Sequence, residues 1–129
     1  MRLNGLILLS RFDMERIDRA LAYVELHYCQ RISADHLSLE VSLSKAKLQA
    51  GIQRRTGLTL HMHILKVRTE KAKLLLRDTE QPVKFIAAST GFKRTSHFID
   101  TFKRFHLLTP SQFRTFMAGE DAEALTASM

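Results

Sequence analysis

Leu48-Gln49-Ala50-Gly51-Ile52-Gln53-Arg54-Arg55-Thr56-Gly57-Leu58-Thr59 and, fifty residues further on, Phe98-Ile99-Asp100-Thr101-Phe102-Lys103-Arg104-Phe105-His106-Leu107-Leu108-Thr109 place apolar, basic and capping residues in the same order. Leu48 and Ile52 stand over Phe98 and Phe102, Arg54 over Arg104, Thr59 over Thr109, and further upstream Leu37 over Ala87. Each half reads as a short helix, a tight turn and a second helix, the helix-turn-helix pattern. The turn before the inward helix is one residue longer in the second half.

Working outward, Asp13 to Cys29 carries Met14, Ile17, Leu21, Val24 and Tyr28 at spacings of three and four, the stripe of an amphipathic helix with Asp13 as its N-cap. Ser33 caps a short helix to Val41, Ser44 caps the one bearing Leu48 and Ile52, and Gly57 ends it. Thr59 caps a long segment, Leu60 to Arg77. There, Leu60, Ile64, Val67 and Leu74 form one stripe and Leu65, Thr69, Ala72 and Leu76 a second, so this helix needs cover on two sides. Pro82 suits the first turn of a short helix with Val83, Ile86 and Ala87, which stops at Gly91-Phe92. Phe98, Phe102 and Phe105 face inward on the next helix. Thr109-Pro110 opens a last one with Phe113 and Phe116, and an acidic, frayed tail begins at Gly119. No stretch alternates with period two, so the expected class is all-α.

Among 129 residues, 20 are basic and 13 acidic, for a formal charge of +7. The excess is local: residues 45–118 hold 15 basic against 4 acidic side chains, whereas residues 1–44 and 119–129 are each net acidic. Such a segment favours a polyanion, either nucleic acid or an anionic membrane surface. The basic residues are spread over several helices rather than along one, which counts against the membrane. The single cysteine, Cys29, permits neither an internal disulfide nor a zinc ribbon, and points to a reducing compartment. Leu6 to Leu9 is too short for a signal core or a membrane span. The expected location is therefore the cytoplasm. His61 and His63 point to different sides of a helix, and His27, His36, His97 and His106 lack ligand spacing, so neither a metal nor another cofactor is expected. Catalysis is not expected either, since no glycine-rich phosphate loop, paired carboxylate site or Cys/His arrangement is visible.

Two helices that read one face of B-DNA must enter successive major grooves, about 34 Å apart. A helix from Leu60 to Arg77 would run about 27 Å at 1.5 Å per residue, a rod of the right order to hold them. Ile86-Ala87, Gly91-Phe92, Ser96-His97-Phe98-Ile99, Phe102-Lys103-Arg104 and Thr109-Pro110-Ser111-Gln112-Phe113-Arg114 together resemble the C-terminal signature of the arabinose-regulator (AraC/XylS) type of bacterial transcription factor. Leu43-Ser44, Leu48, Thr56-Gly57, Arg68, Ala72 and Leu75 resemble the first half of that domain more loosely. The resemblance covers residues 17–116. It implies two homeodomain-like, three-helix helix-turn-helix subdomains joined by a long linker helix. The expected division is an extension over 1–12, a first module over 13–58, a linker helix over 59–78, a second module over 79–118 and a flexible tail over 119–129.

Three core and turn positions depart from the family pattern. Ile52 replaces the usual phenylalanine, His63 the usual tyrosine, and Leu107 the usual glycine; a leucine at positive φ costs of order 1 kcal/mol. Ala50 and Asp100 stand where the family often has arginine. The side chains expected at base edges are Lys45, Ala46, Gln49 and Ala50 in the first reader, and Arg94, Thr95, Ser96, His97 and Asp100 in the second. Gln49 suits adenine, the alanines a thymine methyl, and Asp100 either a cytosine amino group or a structural pair with Lys103 or Arg104. Lys47, Arg54, Arg55, Lys103 and Arg104 are expected on phosphates, which position without specifying, and Arg68 either on phosphate or as a brace.

The resemblance thus implies a sequence-specific DNA-binding transcriptional regulator, in the manner of the family's activators. Its partners would be double-stranded DNA and RNA polymerase, with binding as a monomer compatible with two readers in one chain. The alternative is a protein-binding adaptor of the same fold that acts through RNA polymerase or another regulator, for which Ala46, Ala50 and Asp100 speak. A complete chain of this size would be governed by its own abundance or by a partner. In a fragment, Leu6 to Leu9 would end an interdomain linker.

Overall fold

Serine and threonine hydroxyls set where most of the helices begin. In this computed structural model, which describes the backbone of residues 2–3 and 6–127 and the side chains of residues 7–119, helix α1 spans Arg11–His27. Ser10 Oγ accepts from the Asp13 amide at 3.0 Å while the Ser10 amide donates to Asp13 Oδ2 at 2.9 Å, a reciprocal capping box. The helix therefore opens three residues earlier than a cap at Asp13 would have it. Asp13 is the third helical residue of the box, because Ser10 supplies the cap three positions before it. Helix α2, Ala34–Glu40, is capped by Ser33, which accepts from His36. Helix α3, Lys45–Thr56, is capped by Ser44 and closed by Gly57 in the left-handed conformation at φ 74°.

The chain divides into two units, Met1–Val67 and Arg68–Met129, and helix α4, Leu60–Asp78, contributes to each. In the first unit Ile17, Ala20 and Val24 of α1, Leu37 of α2, Leu48 and Ile52 of α3, and Leu60, Ile64 and Val67 of α4 form one buried cluster. Gly51 of α3 lies where α1 comes closest: a Cβ there would overlap the Ile17 side chain. Ahead of α1, strands β1 (Arg2–Leu3) and β2 (Leu6–Ile7) pair antiparallel, with Arg2 opposite Ile7; the rest of the described chain is helix, turn and loop.

The second unit adds α5 (Val83–Ser89), α6 (Thr95–His106) and α7 (Pro110–Ala127) to the end of α4. Pro82 occupies the N-cap of α5 rather than its first turn, with φ −59° and ψ 147° and no side-chain cap. Its core is an aromatic chain: Phe92 meets Phe98 at 5.2 Å between centroids, Phe98 meets Phe102 at 5.8 Å, and Phe102 meets Phe113 at 5.7 Å. Arg114 donates to the carbonyls of Leu76 (3.1 Å) and Thr79 (3.2 Å), satisfying orphan acceptors at the C-terminus of α4. His106 Nε2 lies 3.0 Å from the hydroxyl of the buried Thr69.

Several expectations about the core need correction. Phe116 is 59% exposed, because the inward stripe of α7 follows Pro110, Phe113, Arg114 and Met117 and passes beside it. Phe105 is half-buried for a similar reason, the deep positions of α6 being Phe98, Thr101 and Phe102. Leu74 is 47% exposed: the buried positions late in α4 are Thr69, Ala72 and Leu76, and Leu74 projects away from them. Gly119 does not end the last helix, whose backbone hydrogen bonding runs on to Ala127, so residues 119–127 continue α7; the last two residues of the expected tail lie outside the described chain.

The repeat is exact in element length but shifted by the turns. Both α2 and α5 have seven residues, and both α3 and α6 have twelve. Four residues, Val41 to Ser44, separate the first pair, and five, Thr90 to Arg94, the second. Each turn holds one residue at positive φ, Ser42 at 57° and Gly91 at 100°.

Candidate nucleic-acid interface

Burial on one side of α3 and α6 decides what their other sides present. With Leu48, Gly51 and Ile52 inward, Lys45, Ala46, Gln49, Gln53 and Arg54 are exposed on α3, and Ala50 is half-buried. With Phe98, Thr101 and Phe102 inward, Arg94, Ser96, His97, Asp100, Lys103 and Arg104 are exposed at or on α6, and Thr95 is half-buried. The expected readers therefore carry their expected side chains outward. Arg94 is the N-cap residue of α6, with an extended backbone and no side-chain cap, which leaves its guanidinium free to extend from the helix start.

The cations of the two readers are held differently. On the first, Lys45 Nζ lies 3.0 Å from Asp35 Oδ1, Lys47 Nζ 3.0 Å from Asp13 Oδ2, and Arg55 makes a bidentate pair with Asp18 at 2.9 and 3.1 Å. Gln53 turns back to donate to the Gly57 carbonyl at 3.0 Å. Arg54 has no partner among the described residues. On the second reader, Arg94, Lys103 and Arg104 have none either. The alternative pair of Asp100 with Lys103 or Arg104 is not formed among the described residues.

Two further side chains are set by Phe92, in the turn before α6. The His97 ring stands edge-on to it at 5.4 Å, and the Arg68 guanidinium lies over it at 5.9 Å. This cation–π contact ties Arg68 to the turn before α6 within the second unit. The carboxyl of Asp13 is held below its usual 3.8, first by the Ser10 amide and then by the Lys47 ammonium. Among the described residues no group of three or more His, Cys, Asp or Glu side chains could hold a metal ion, and no helix is long and apolar enough to cross a membrane.

Sequence reasoning missed the acidic partners on α1 and the close approach at Gly51. Only half of the signal lay in the spacing: Lys47, Gly51 and Arg55 fall on one face of α3 at intervals of four, whereas on α1 Asp18 lies about 100° around the helix from Ile17, so no single-face pattern marks the partners.

Two helix-turn-helix units, each with its second helix packed on one side and presenting polar and basic groups on the other, define a double helix-turn-helix domain, a class whose second helices dock in major grooves. The chain belongs to the AraC/XylS-type helix-turn-helix family: the family described as "Helix-turn-helix domain" matches residues 37–115. It is 34% identical over 107 residues to the HTH-type transcriptional activator RhaS of Klebsiella pneumoniae, covering 83% of this chain and 37% of that one. It is 28% identical over 116 residues to the probable transcriptional regulator LumQ of Photobacterium leiognathi, covering 88% and 47%. The chain thus spans less than half the length of these curated relatives. The solved C-terminal domain of AraT, a response regulator from Geobacillus stearothermophilus, superposes with a TM-score of 0.72 at 27% identity, covering 85% of this chain and 88% of that one.

Proposed function

We propose that this chain is the sequence-specific DNA-binding unit of a transcriptional regulator, with α3 and α6 entering successive major grooves. The observation that carries the proposal is the pair of matched second helices with outward polar faces, the second of them bearing Lys103 and Arg104 without partners in the protein. Lys45, Ala46, Gln49 and Ala50 would meet base edges in one groove, and Arg94, Thr95, Ser96, His97 and Asp100 in the other. Arg54, Lys103 and Arg104 would hold phosphates. A regulator bound to DNA alters transcription by recruiting or obstructing RNA polymerase, which is the second partner in this reading. Chromosomal DNA as target puts its work in the cytoplasm.

Selection of bound sites from random duplexes, followed by titration of the selected duplex against salt, tests this. The expected result is a defined site, preferred over random duplex by at least about a thousand-fold, with affinity falling steeply as salt rises. Recovery of no preferred sequence would overturn sequence readout and leave the adaptor reading in its place.

A further inference from the structure

Three contacts line up across α1 and α3. Lys47 reaches Asp13 at the start of the reader, Gly51 lies against Ile17 in its middle, and Arg55 grips Asp18 at its end. On α3 these positions are spaced by four, so they form one stripe, some 100° or more around the helix from Gln49 and Ala46. The middle contact admits no Cβ, which fixes how near the two helices come. The outer two fix rotation and sliding, since moving α3 along or about its axis breaks one ion pair or the other. The Asp13 end is itself anchored, because that carboxylate is also the acceptor in the capping box of α1 and is 6% exposed. The Arg55 end is a two-point pair, whose fork geometry restricts orientation as well as distance. No counterpart holds α6, where Lys103 and Arg104 have no carboxylate partner among the described residues.

We propose that Asp13 and Asp18 clamp the first reader onto α1 through Lys47 and Arg55, making these two cations positioning residues rather than phosphate contacts. This rests on the DNA-binding reading and refines it: sequence alone put Lys47 and Arg55 on phosphates. The consequence is a division of labour. The salt-dependent grip on the backbone comes from cations without a protein partner, Arg54, Lys103 and Arg104, while the charges of Lys47 and Arg55 fix the angle at which Gln49 and its neighbours approach the bases.

The experiment measures binding of the full chain to its selected duplex across a salt series, and to duplexes altered in one half-site at a time. For Lys103→Ala the slope of log affinity against log salt should fall by about 0.9, the value of one phosphate. For Lys47→Met and Arg55→Met the slope should stay at the wild-type value, while preference among bases in the half-site read by α3 drops about ten-fold and that in the other half-site is unchanged. Asp18→Asn, an exposed change that leaves Arg55 in place, should give the same selective loss. Combining Asp18→Arg with Arg55→Asp should restore the preference by remaking the pair in reverse. A slope lowered by Lys47→Met or Arg55→Met to the same extent as by Lys103→Ala would overturn the proposal, and so would an unaltered half-site preference in Asp18→Asn. A wild-type chain with neither salt slope nor preferred site would sink the DNA-binding reading itself, a distinct outcome.

Discussion

Leu107 holds a left-handed backbone at φ 69°, in the place where the first unit has Gly57 at φ 74°. A side chain in that conformation is strained, and at 82% exposure Leu107 recovers little by burial. Leu107→Gly should therefore stabilise the protein by about 1 kcal/mol, read as a raised urea midpoint at unchanged slope. At Gly51 the opposite substitution is the costly one. Gly51→Ala drives a methyl into Ile17 and should cost about 1–3 kcal/mol, measured in the same way. Asp13 supplies a pH signature. Its carboxyl titrates lower in the folded chain than its ordinary 3.8, so its contribution is complete above that value and is lost as pH falls below it. Acid unfolding of Asp13→Asn should accordingly show a shallower fall in stability below pH 3.8 than the wild-type chain. The left-handed site at 107 was legible from the family resemblance, in which glycine usually stands there. The contact at Gly51 was not, because it depends on which face of α1 comes closest.

At the scale of the helix, the hydroxyl caps Ser33 and Ser44 placed α2 and α3, and Pro82 and the three-to-four spacing of apolar residues placed α5 and α6, to within a residue or two. Where the reading slipped, a local signal was weaker than its surroundings. Asp13 looks like a cap, but Ser10 three residues earlier makes the better pair with it. Leu74 and Phe116 have the hydrophobicity of core residues and lie off the stripe that each helix buries. The outward faces of α3 and α6 were legible as faces; the ionic partners of Lys47 and Arg55 were not, since they come from residues more than thirty positions away. On α6, Asp100 is exposed without an ion pair among the described residues, and in the proposed complex its charge would oppose the phosphates. Asp100→Arg should strengthen binding to random duplex and change the selected site, as read by repeating the selection. No change in either would place Asp100 away from the duplex.

On the scale of the whole molecule, the fifty-residue repeat makes two like units legible in the sequence alone, and both units have the expected helix-turn-helix. If each unit reads one half-site, the centres of the two should recur about 10–10.5 base pairs apart in selected duplexes. Inserting five base pairs between them turns one half-site to the far side of the helix, and affinity should drop towards that of random duplex. A binding curve indifferent to the insertion would mean that one unit alone carries recognition.

The extra residue between α5 and α6 bears on anyone who would re-engineer specificity by transplanting contacts from one half to the other. Counted forward from the leading helix, equivalent positions on α3 and α6 fall one residue out of step, and one residue is about 100° of rotation on a helix. A graft numbered that way would bury the intended fingers and expose core; numbered back from Gly57 and Leu107, which end the two helices alike, it would keep them in phase.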